Sequence, residues 1–343
     1  MLLYKYLSLA GLLAPMAQAA PTHQVEKRAL PRLGGVNLAG CEFGIQQDGS
    51  ATGGAKCPDV SLVAHYVADG ANAFRIPFGW QYITPSWSST SFNTGYFNAF
   101  DKVVRAVLNK GAYAMIDLHN YARWDGKIVG QGGPTNADLA SMWSLLAKKY
   151  ANEPKVIFGI MNEPHDLNMD TWATTVQASV NAIRAAGATS QAIALPGTVY
   201  DAVGVWGSGQ SDAMLRITDP AHGNDKSLLI IDAHQYLDDP PSGVSRECAN
   251  NGVANLQYFE RWLNKNGRKA IISETGGGNT ASCVKNLGEE INYIKTHPNV
   301  FVGFTVWAAG SWPADYELNI NPDANGNDNN LFNNAVKGYL PGV

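Results

Sequence analysis

The sequence contains little charge. Only 16% of its 343 residues are Asp, Glu, Lys or Arg, and the formal net charge is −4. A nucleic-acid-binding surface needs an excess of basic side chains, so we expect no nucleic-acid partner. With 45% hydrophobic residues, the composition is typical of a folded globular chain and not of a disordered one.

Long apolar runs are also missing. Beyond the N-terminus no run reaches the roughly 18 residues that a membrane-spanning helix requires, so we expect no membrane association. Residues 1–19 are predicted to be a signal peptide. They combine a basic residue, a short apolar core at 7–14 and a small-x-small cleavage site at 17–19.

A dibasic pair, Lys27-Arg28, follows the predicted signal peptide. It predicts a propeptide over residues 20–28 and a mature catalytic chain over residues 29–343. We therefore expect a secreted, extracellular protein whose cysteines face an oxidising compartment.

Cysteine is scarce, with only Cys41, Cys57, Cys248 and Cys283. No two of them form a C-x-x-C pair, which argues against a structural zinc site. Four cysteines allow three disulfide pairings. The pairing of nearest neighbours, Cys41 with Cys57 and Cys248 with Cys283, is the first to test.

Eight short apolar runs recur along the mature chain. They begin near residues 34, 72, 113, 156, 192, 228, 270 and 301. Each run is continuous and bounded by glycine, proline or polar residues, as buried parallel strands are. Helical patterns lie between them, for example over Phe97–Leu108 and Leu139–Tyr150. This alternation predicts an α/β fold, a (β/α)8 TIM barrel forming a single catalytic domain.

A doubly wound open sheet is the alternative fold. If it bound a dinucleotide it would need the glycine-rich fingerprint G-x-G-x-x-G, and the sequence has none. It also lacks a Walker A motif, a G-x-S-x-G elbow and an H-E-x-x-H motif.

Polar residues cluster where the predicted strands end, which is the end of a barrel that carries active sites. These residues are Arg75, His119, Asn162, Glu163, His234, Tyr236, Glu274 and Trp307. One such residue is more often a helix cap or a packing residue. Convergence from six strands on one rim is hard to explain by packing, so we expect an active site there.

Glu163 and Glu274 follow strands four and seven of the predicted barrel and should face each other across its mouth. Glycoside hydrolysis uses such a pair, a protonated acid for the leaving oxygen and an ionised carboxylate for the anomeric carbon. Arg75 and His119 could keep the nucleophile ionised. Asn162 could donate to a sugar 2-hydroxyl.

Several tryptophans fall in segments that follow strands, where their rings could stack on sugars. They are Trp80, Trp87, Trp124, Trp206, Trp307 and Trp312. We expect Trp206 and Trp307, together with Asn162, His119 and Tyr236, to contact substrate.

The motifs at these positions resemble those of a known family. They are RIPFGWQYI (75–83), DLHNYARWDGKIVGQGGPTNA (117–137), FGIMNEPHD (158–166), HQY (234–236), ISETGGGN (272–279) and VWAAG (306–310). Across essentially all of the mature chain, the sequence resembles the secreted fungal endo-β-1,4-glucanases of glycoside hydrolase family 5.

The resemblance implies a retaining glycosidase that hydrolyses β-1,4-glucan without metal or organic cofactor. Glu163 would be the acid/base and Glu274 the nucleophile. Tyr236 would hydrogen-bond the nucleophile, His234 would lie near the acid/base, and Trp307 would form the floor beneath the reacting sugar.

The cysteines match the family unevenly. Cys248 and Cys283 fit its pattern, whereas Cys41 lies a few residues earlier than the cysteine of related chains.

Other functions remain open at this point. A β-mannanase or xyloglucanase of the same family would share these motifs. The pairs Asp117-x-His119 and Asp232-x-His234 would suit a second hypothesis, a metal-dependent barrel hydrolase. A typical metal-ligand set for such an enzyme is not evident in the sequence. A non-catalytic glycan-binding protein would have no need of two carboxylates. No heptad or long apolar stripe is present, so we expect a monomer.

Overall fold

The computed structural model describes residues 30–342. The predicted signal peptide and propeptide lie outside these residues. Within residues 30–342, no helix is both long enough and apolar enough to cross a lipid bilayer.

Eight parallel strands close into a barrel, which confirms the predicted (β/α)8 fold. In barrel order they are β1 (Leu33–Ala39), β2 (Ala73–Phe78), β3 (Tyr113–Leu118), β6 (Val156–Gly159), β7 (Ala192–Leu195), β8 (Leu229–Tyr236), β9 (Ala270–Gly276) and β10 (Phe301–Gly310), which pairs with β1. Two further short strands, β4 (Arg123–Trp124) and β5 (Lys127–Ile128), form an antiparallel hairpin in the loop after β3.

Helices follow the strands and cover the outside of the barrel. They are α1 (Ser61–Ala68), α2 (Trp80–Ile83), α3 (Thr94–Asn109), α4 (Asn136–Tyr150), α5 (Met169–Ala185), α6 (Val203–Gly207), α7 (Val253–Asn266) and α8 (Ala281–Thr296). The start of α4 shows how the sequence sets these boundaries. Thr135 and Asp138 cap each other's backbone N–H groups in a capping box.

The barrel interior is layered. Side chains two residues apart on a strand point to the same face. An apolar floor fills the amino-terminal end of the interior and includes Ala73, Met115, Ile157, Ala194, Ile230 and Ile271. Two residues further along, four of these strands carry buried polar side chains instead: Arg75, Asp117, Asp232 and Ser273. The period-two geometry thus puts a polar layer between the apolar floor and the carboxyl ends of the strands.

Two disulfides join the cysteines in the nearest-neighbour pairing. Cys41 pairs with Cys57, and Cys248 pairs with Cys283. The second bridge ties the segment before α7 to the first turn of α8, beside Gly277 at the end of β9. It therefore braces the loop that follows the strand of Glu274.

Candidate active site

Arg75 lies at the centre of the polar layer. Its side chain is fully buried, and Nη1 donates to Glu274 Oε1 and to Asn37 Oδ1. Nη2 donates to Asn162 Oδ1 at 2.6 Å and lies 3.0 Å from Asp117 Oδ2. A planar guanidinium held on both edges can fix several acceptors at once. Arg75 therefore positions Glu274 and Asn162 relative to each other.

Glu274 is held as an anion. Tyr236 Oη donates to Glu274 Oε2 at 2.9 Å, while Arg75 occupies the other oxygen. Burial alone would raise the pKa of Glu274, but the charges of His234 and Arg75 outweigh it and hold that pKa well below its ordinary value. An ionised carboxylate that is almost fully buried is suited to nucleophilic attack.

Glu163 follows β6, and its backbone adopts a left-handed conformation with φ 49°. Its Oε1 accepts a hydrogen bond from His234 Nδ1 at 2.9 Å. One oxygen of Glu163, one of Glu274 and a ring nitrogen of His234 all lie within 4.8 Å of one another. The two glutamates, 111 positions apart in the sequence, thus meet across the barrel mouth.

His234 connects Glu163 to the polar layer. Its Nε2 lies 3.1 Å from Ser273 Oγ, and the Ser273 hydroxyl donates to Asp232. Burial lowers the pKa of His234, but the nearby carboxylates of Glu274 and Glu163 raise it to about 10. A protonated ring donates from both nitrogens, which matches the acceptors found on both sides.

His119 and Trp307 form another side of the site. His119 Nδ1 lies 3.0 Å from Asp117 Oδ2, and the His119 ring stacks against Trp307 with the planes 16° apart. Trp307 Nε1 donates to Tyr316 Oη at 2.9 Å. These contacts fix the orientation of the Trp307 ring, which retains a small exposed area at the barrel mouth.

Asn162 offers a donor that the protein leaves free. Arg75 holds Asn162 Oδ1, so the orientation of the amide is set. Asn162 Nδ2 is buried and has no hydrogen-bond partner within residues 30–342. Because a buried donor without a partner is costly, a ligand that accepts from Nδ2 would be favoured.

A cleft opens beside Glu163 and His234. Its walls include Tyr236, Val199 and Tyr200. The Tyr200 ring stacks on His165, with the planes 12° apart. The cleft is thus partly aromatic and reaches both Glu163 and Tyr236, as a carbohydrate groove requires.

Two tryptophans occupy different positions from those expected. Trp206 is fully buried in α6, where its Nε1 donates to the Asp232 carbonyl and its ring packs against Trp262 of α7. Trp80 is also fully buried. Neither ring presents a face to the cleft, so the expectation that Trp206 contacts substrate is wrong. Following a strand in sequence does not determine which way a side chain points.

Sequence reasoning missed three buried polar residues at the site. Asn37 accepts from Arg75 and donates to the Ser273 carbonyl. The sequence feature that could have indicated Asn37 is a polar residue within an apolar strand. Glu42 is almost fully buried, and burial raises its pKa to about 7, although His119 partly offsets this. Asp201 accepts from the backbone N–H of Glu163, and nothing in its local sequence indicated this.

Comparison with known proteins covers almost the whole chain. The family model described as Cellulase (glycosyl hydrolase family 5) matches residues 36–310. Endoglucanase 1 of Saitozyma flava is 54% identical over 336 residues, which cover 97% of this chain and 96% of the relative. The manganese dependent endoglucanase Eg5A of Phanerodontia chrysosporium is 46% identical over 317 residues, 91% of this chain and 81% of the relative.

A solved structure is similar over the same region. The crystal structure of Cel5A (EG2) from Hypocrea jecorina (Trichoderma reesei) superposes with a TM-score of 0.84 at 40% sequence identity. The match covers 89% of this chain and 98% of that one.

Proposed function

The chain belongs to glycosyl hydrolase family 5, the cellulase family, and from this membership we propose that Glu163 and Glu274 are its catalytic acid/base and nucleophile. The protein is an endo-β-1,4-glucanase, a glycoside hydrolase that cleaves internal linkages of β-glucans. The observation that carries the catalytic assignment is the approach of the two carboxyl groups to within 4.8 Å. Retaining glycosidases have carboxyl groups about 5–5.5 Å apart, whereas inverting enzymes need about 6.5–9.5 Å.

The proposed reaction has two steps. Glu274 attacks the anomeric carbon while the proton on Glu163 passes to the glycosidic oxygen, which leaves with the rest of the chain. Glu163, now ionised, takes a proton from water as the water attacks the same carbon and releases Glu274. Tyr236 and Arg75 hold Glu274 between these steps. His234 holds Glu163 Oε1. The other oxygen, Glu163 Oε2, would then carry the proton that is transferred.

Substrate contacts follow from the free groups at the site. The unpartnered Asn162 Nδ2 is suited to a sugar 2-hydroxyl, a hydrogen bond that strengthens in the transition state. Trp307 would support the apolar face of the reacting sugar, beside His119. Cellulose and soluble or amorphous β-glucan are the proposed substrates. A panel that includes mannan and xyloglucan would rank side activities.

A metal-dependent mechanism has less support. Asp117 is bound by Arg75 and His119, and Asp232 accepts from Ser273. Glu163, His234 and Glu274 are close enough to share an ion. Arg75 and Tyr236 already occupy the two oxygens of Glu274, however, and His234 occupies Glu163 Oε1. Activity that survives exhaustive chelation and does not rise with added Mn²⁺ would support the metal-free mechanism.

The cellular setting is part of the proposal. The predicted signal peptide and the two disulfides support secretion to an extracellular compartment. We propose that the secreted enzyme acts as a monomer, since one chain supplies every group named in the mechanism.

Replacing either glutamate tests the assignment. Glu274→Gln removes the nucleophile and should reduce hydrolysis of carboxymethyl cellulose to background. Glu163→Gln removes the acid and should lower kcat/KM on the same polymer by at least about 10²-fold. Reducing-sugar release measures both. For the wild type, NMR of the first product formed from cello-oligosaccharides should show the β-anomer, as retention requires.

Glu289→Gln is the matched control. Glu289 lies on the exposed face of α8 and contacts Asn251, so its neutralisation should leave activity unchanged. Wild-type activity in Glu163→Gln or in Glu274→Gln would refute the assignment, as would an α-anomer as first product.

A further inference from the structure

The loop between β7 and α6 has an uncommon backbone. Val199, Tyr200 and Asp201 adopt consecutive left-handed conformations, with φ 49°, 60° and 56°. Residues other than glycine are uncommon in this region, and a β-branched residue such as Val199 is rarer still. Strain of this kind persists only where surrounding contacts fix it, and it concentrates at functional sites. The contacts of Asp201 account for the shape of the loop.

The Asp201 carboxylate is fully buried and binds two backbone amides. Its Oδ2 accepts from Glu163 N–H at 2.9 Å, and Oδ1 accepts from Gly197 N–H. The backbone carbonyl of Asp201 accepts from His234 N–H at 2.9 Å. A single residue therefore contacts the proposed acid/base and the histidine that hydrogen-bonds it.

Glu163 depends on such an anchor. It too is left-handed, with φ 49°, and the next residue is held by a bond from Tyr200 N–H to the Pro164 carbonyl at 3.1 Å. The direction of the Glu163 side chain follows from this backbone conformation. Without the bond to Asp201, the backbone could relax towards a more common conformation, and the carboxyl group would move away from His234.

We propose that Asp201 is a positioning residue for general-acid catalysis. It holds the Glu163 backbone amide so that the Glu163 carboxyl group faces the glycosidic oxygen. This inference rests on the proposed role of Glu163 as the acid/base. Asp201 is itself fully buried with its carboxylate on two backbone amides, so it would act through Glu163.

The role has a specific kinetic signature. A misplaced acid slows departure of a poor leaving group, which needs a proton, but hardly affects a good leaving group, which departs as an anion. The value of kcat/KM reports the step in which the leaving group departs. The ratio of kcat/KM between a substrate with a good leaving group and one with a poor leaving group therefore reports how well the acid is positioned. The amount of folded enzyme cancels from that ratio.

The experiment compares 2,4-dinitrophenyl β-cellobioside with phenyl β-cellobioside. For Asp201→Ala, kcat/KM on the phenyl substrate should fall about 10- to 100-fold more than on the dinitrophenyl substrate. Asp201→Asn keeps the shape and one acceptor oxygen for the two amides, so it should show a smaller difference of the same sign. Glu163→Ala should show the largest difference of the series.

Asp219→Asn provides the matched control. Asp219 is also buried and accepts a backbone N–H, from Ala221, but its main partner is Arg184 at the amino-terminal end of the barrel. Its replacement should lower the melting temperature and leave the substrate ratio unchanged.

Each outcome has one interpretation. Suppose that Glu163→Ala changes the ratio of kcat/KM between the two substrates, while the Asp201 variants keep the wild-type ratio. That result would overturn the role of Asp201. If Asp201→Ala does not fold, the Asp201→Asn ratio decides alone. A wild-type ratio in Glu163→Ala would instead refute the acid/base assignment itself.

Discussion

His234 is the side chain through which Glu163 and Glu274, the two proposed catalytic residues, affect each other. Its Nδ1 lies 2.9 Å from Glu163 Oε1 and 3.7 Å from Glu274 Oε2. Because these carboxylates raise the pKa of His234 to about 10, the ring carries a positive charge throughout the acid and neutral range. A group with a raised pKa stabilises the fold fully below its unfolded value of about 6.5, and loses this contribution as the pH rises through 10. The charge that keeps Glu274 ionised therefore also stabilises the site in acid.

The proposed hydrogen bond between Asn162 Nδ2 and the sugar 2-hydroxyl can be tested by substitution. Asn162→Asp keeps an acceptor for Arg75 and removes the Nδ2 donor. On an aryl β-cellobioside, kcat/KM should fall about 10²-fold, because the lost hydrogen bond is worth a few kcal/mol in the transition state. On the analogue that lacks the 2-hydroxyl of the reacting sugar, the variant and the wild type should differ far less.

Asn37→Asp controls for the added charge. It places a third carboxylate on Arg75, beside those of Glu274 and Asp117. The Asn37 amide donates to the Ser273 carbonyl and not to substrate. Its effect should be the same on both substrates. An equal loss on both substrates for Asn162→Asp as well would contradict a contact between Asn162 and the 2-hydroxyl.

At the scale of elements, helix α8 contacts β8 and β9, the two strands that carry His234, Tyr236 and Glu274. Glu290 on α8 is fully buried and accepts from Thr275 Oγ1 of β9 at 2.6 Å and from Gln235 Nε2 of β8 at 2.8 Å. Thr275 follows Glu274, and Gln235 lies between His234 and Tyr236 in the sequence. Burial raises the pKa of Glu290 to about 7, although its two hydrogen bonds oppose the shift. The protonation of one helix side chain is therefore linked to the stability of the strands that carry the site.

Glu290→Gln tests this link through the pH dependence of stability. The unfolded chain ionises Glu290 near pH 4.5 and the folded chain near pH 7, so between these values the unfolded state binds fewer protons. The wild-type free energy of unfolding should fall by about 1.4 kcal/mol per pH unit in this window from this group alone. Glutamine mimics the protonated acid. The variant should match the wild type at pH 4.5 and be about 1–3 kcal/mol more stable at pH 8 in urea unfolding.

Glu289→Gln serves again as the control, because it alters the neighbouring exposed glutamate of the same helix. Its stability should follow the wild-type curve at every pH. A Glu290→Gln variant that is less stable than the wild type at pH 8 would show that the folded protein needs the ionised form.

The elements were predictable because each has a local signature. A parallel strand buried on both faces appears as a continuous apolar run, and α4 begins at a capping box. The same argument located Glu274 near the carboxyl end of β9, whereas Arg75 lies within β2, in the polar layer below the carboxyl ends. Local sequence does not specify side-chain direction or pairing between distant elements. For this reason Trp206 was wrongly expected in the cleft, and the contacts of Asp201 and Glu290 were found only in the structure.

At the scale of the whole molecule, the barrel closes through contacts far apart in the chain. Strand β1 begins at Leu33 and pairs with β10, which ends at Gly310. The apolar floor that includes Leu33 and Val302 seals the amino-terminal end of the barrel. Every element named here lies after the predicted processing site at Lys27-Arg28. Cleavage there would therefore remove no part of the described fold.

Processing of the complete chain can be tested by secreting it from a yeast host. We expect extracellular enzyme that begins at residue 29, because removal of the signal peptide exposes the dibasic pair for a second cleavage. Replacing Lys27 and Arg28 with alanine should leave residues 20–28 attached while β-glucan hydrolysis continues, since β1 starts later in the chain. Intact mass and N-terminal sequencing distinguish the two products. A wild-type product that begins at residue 20, or active enzyme found only inside the cells, would show that the predicted boundaries are wrong.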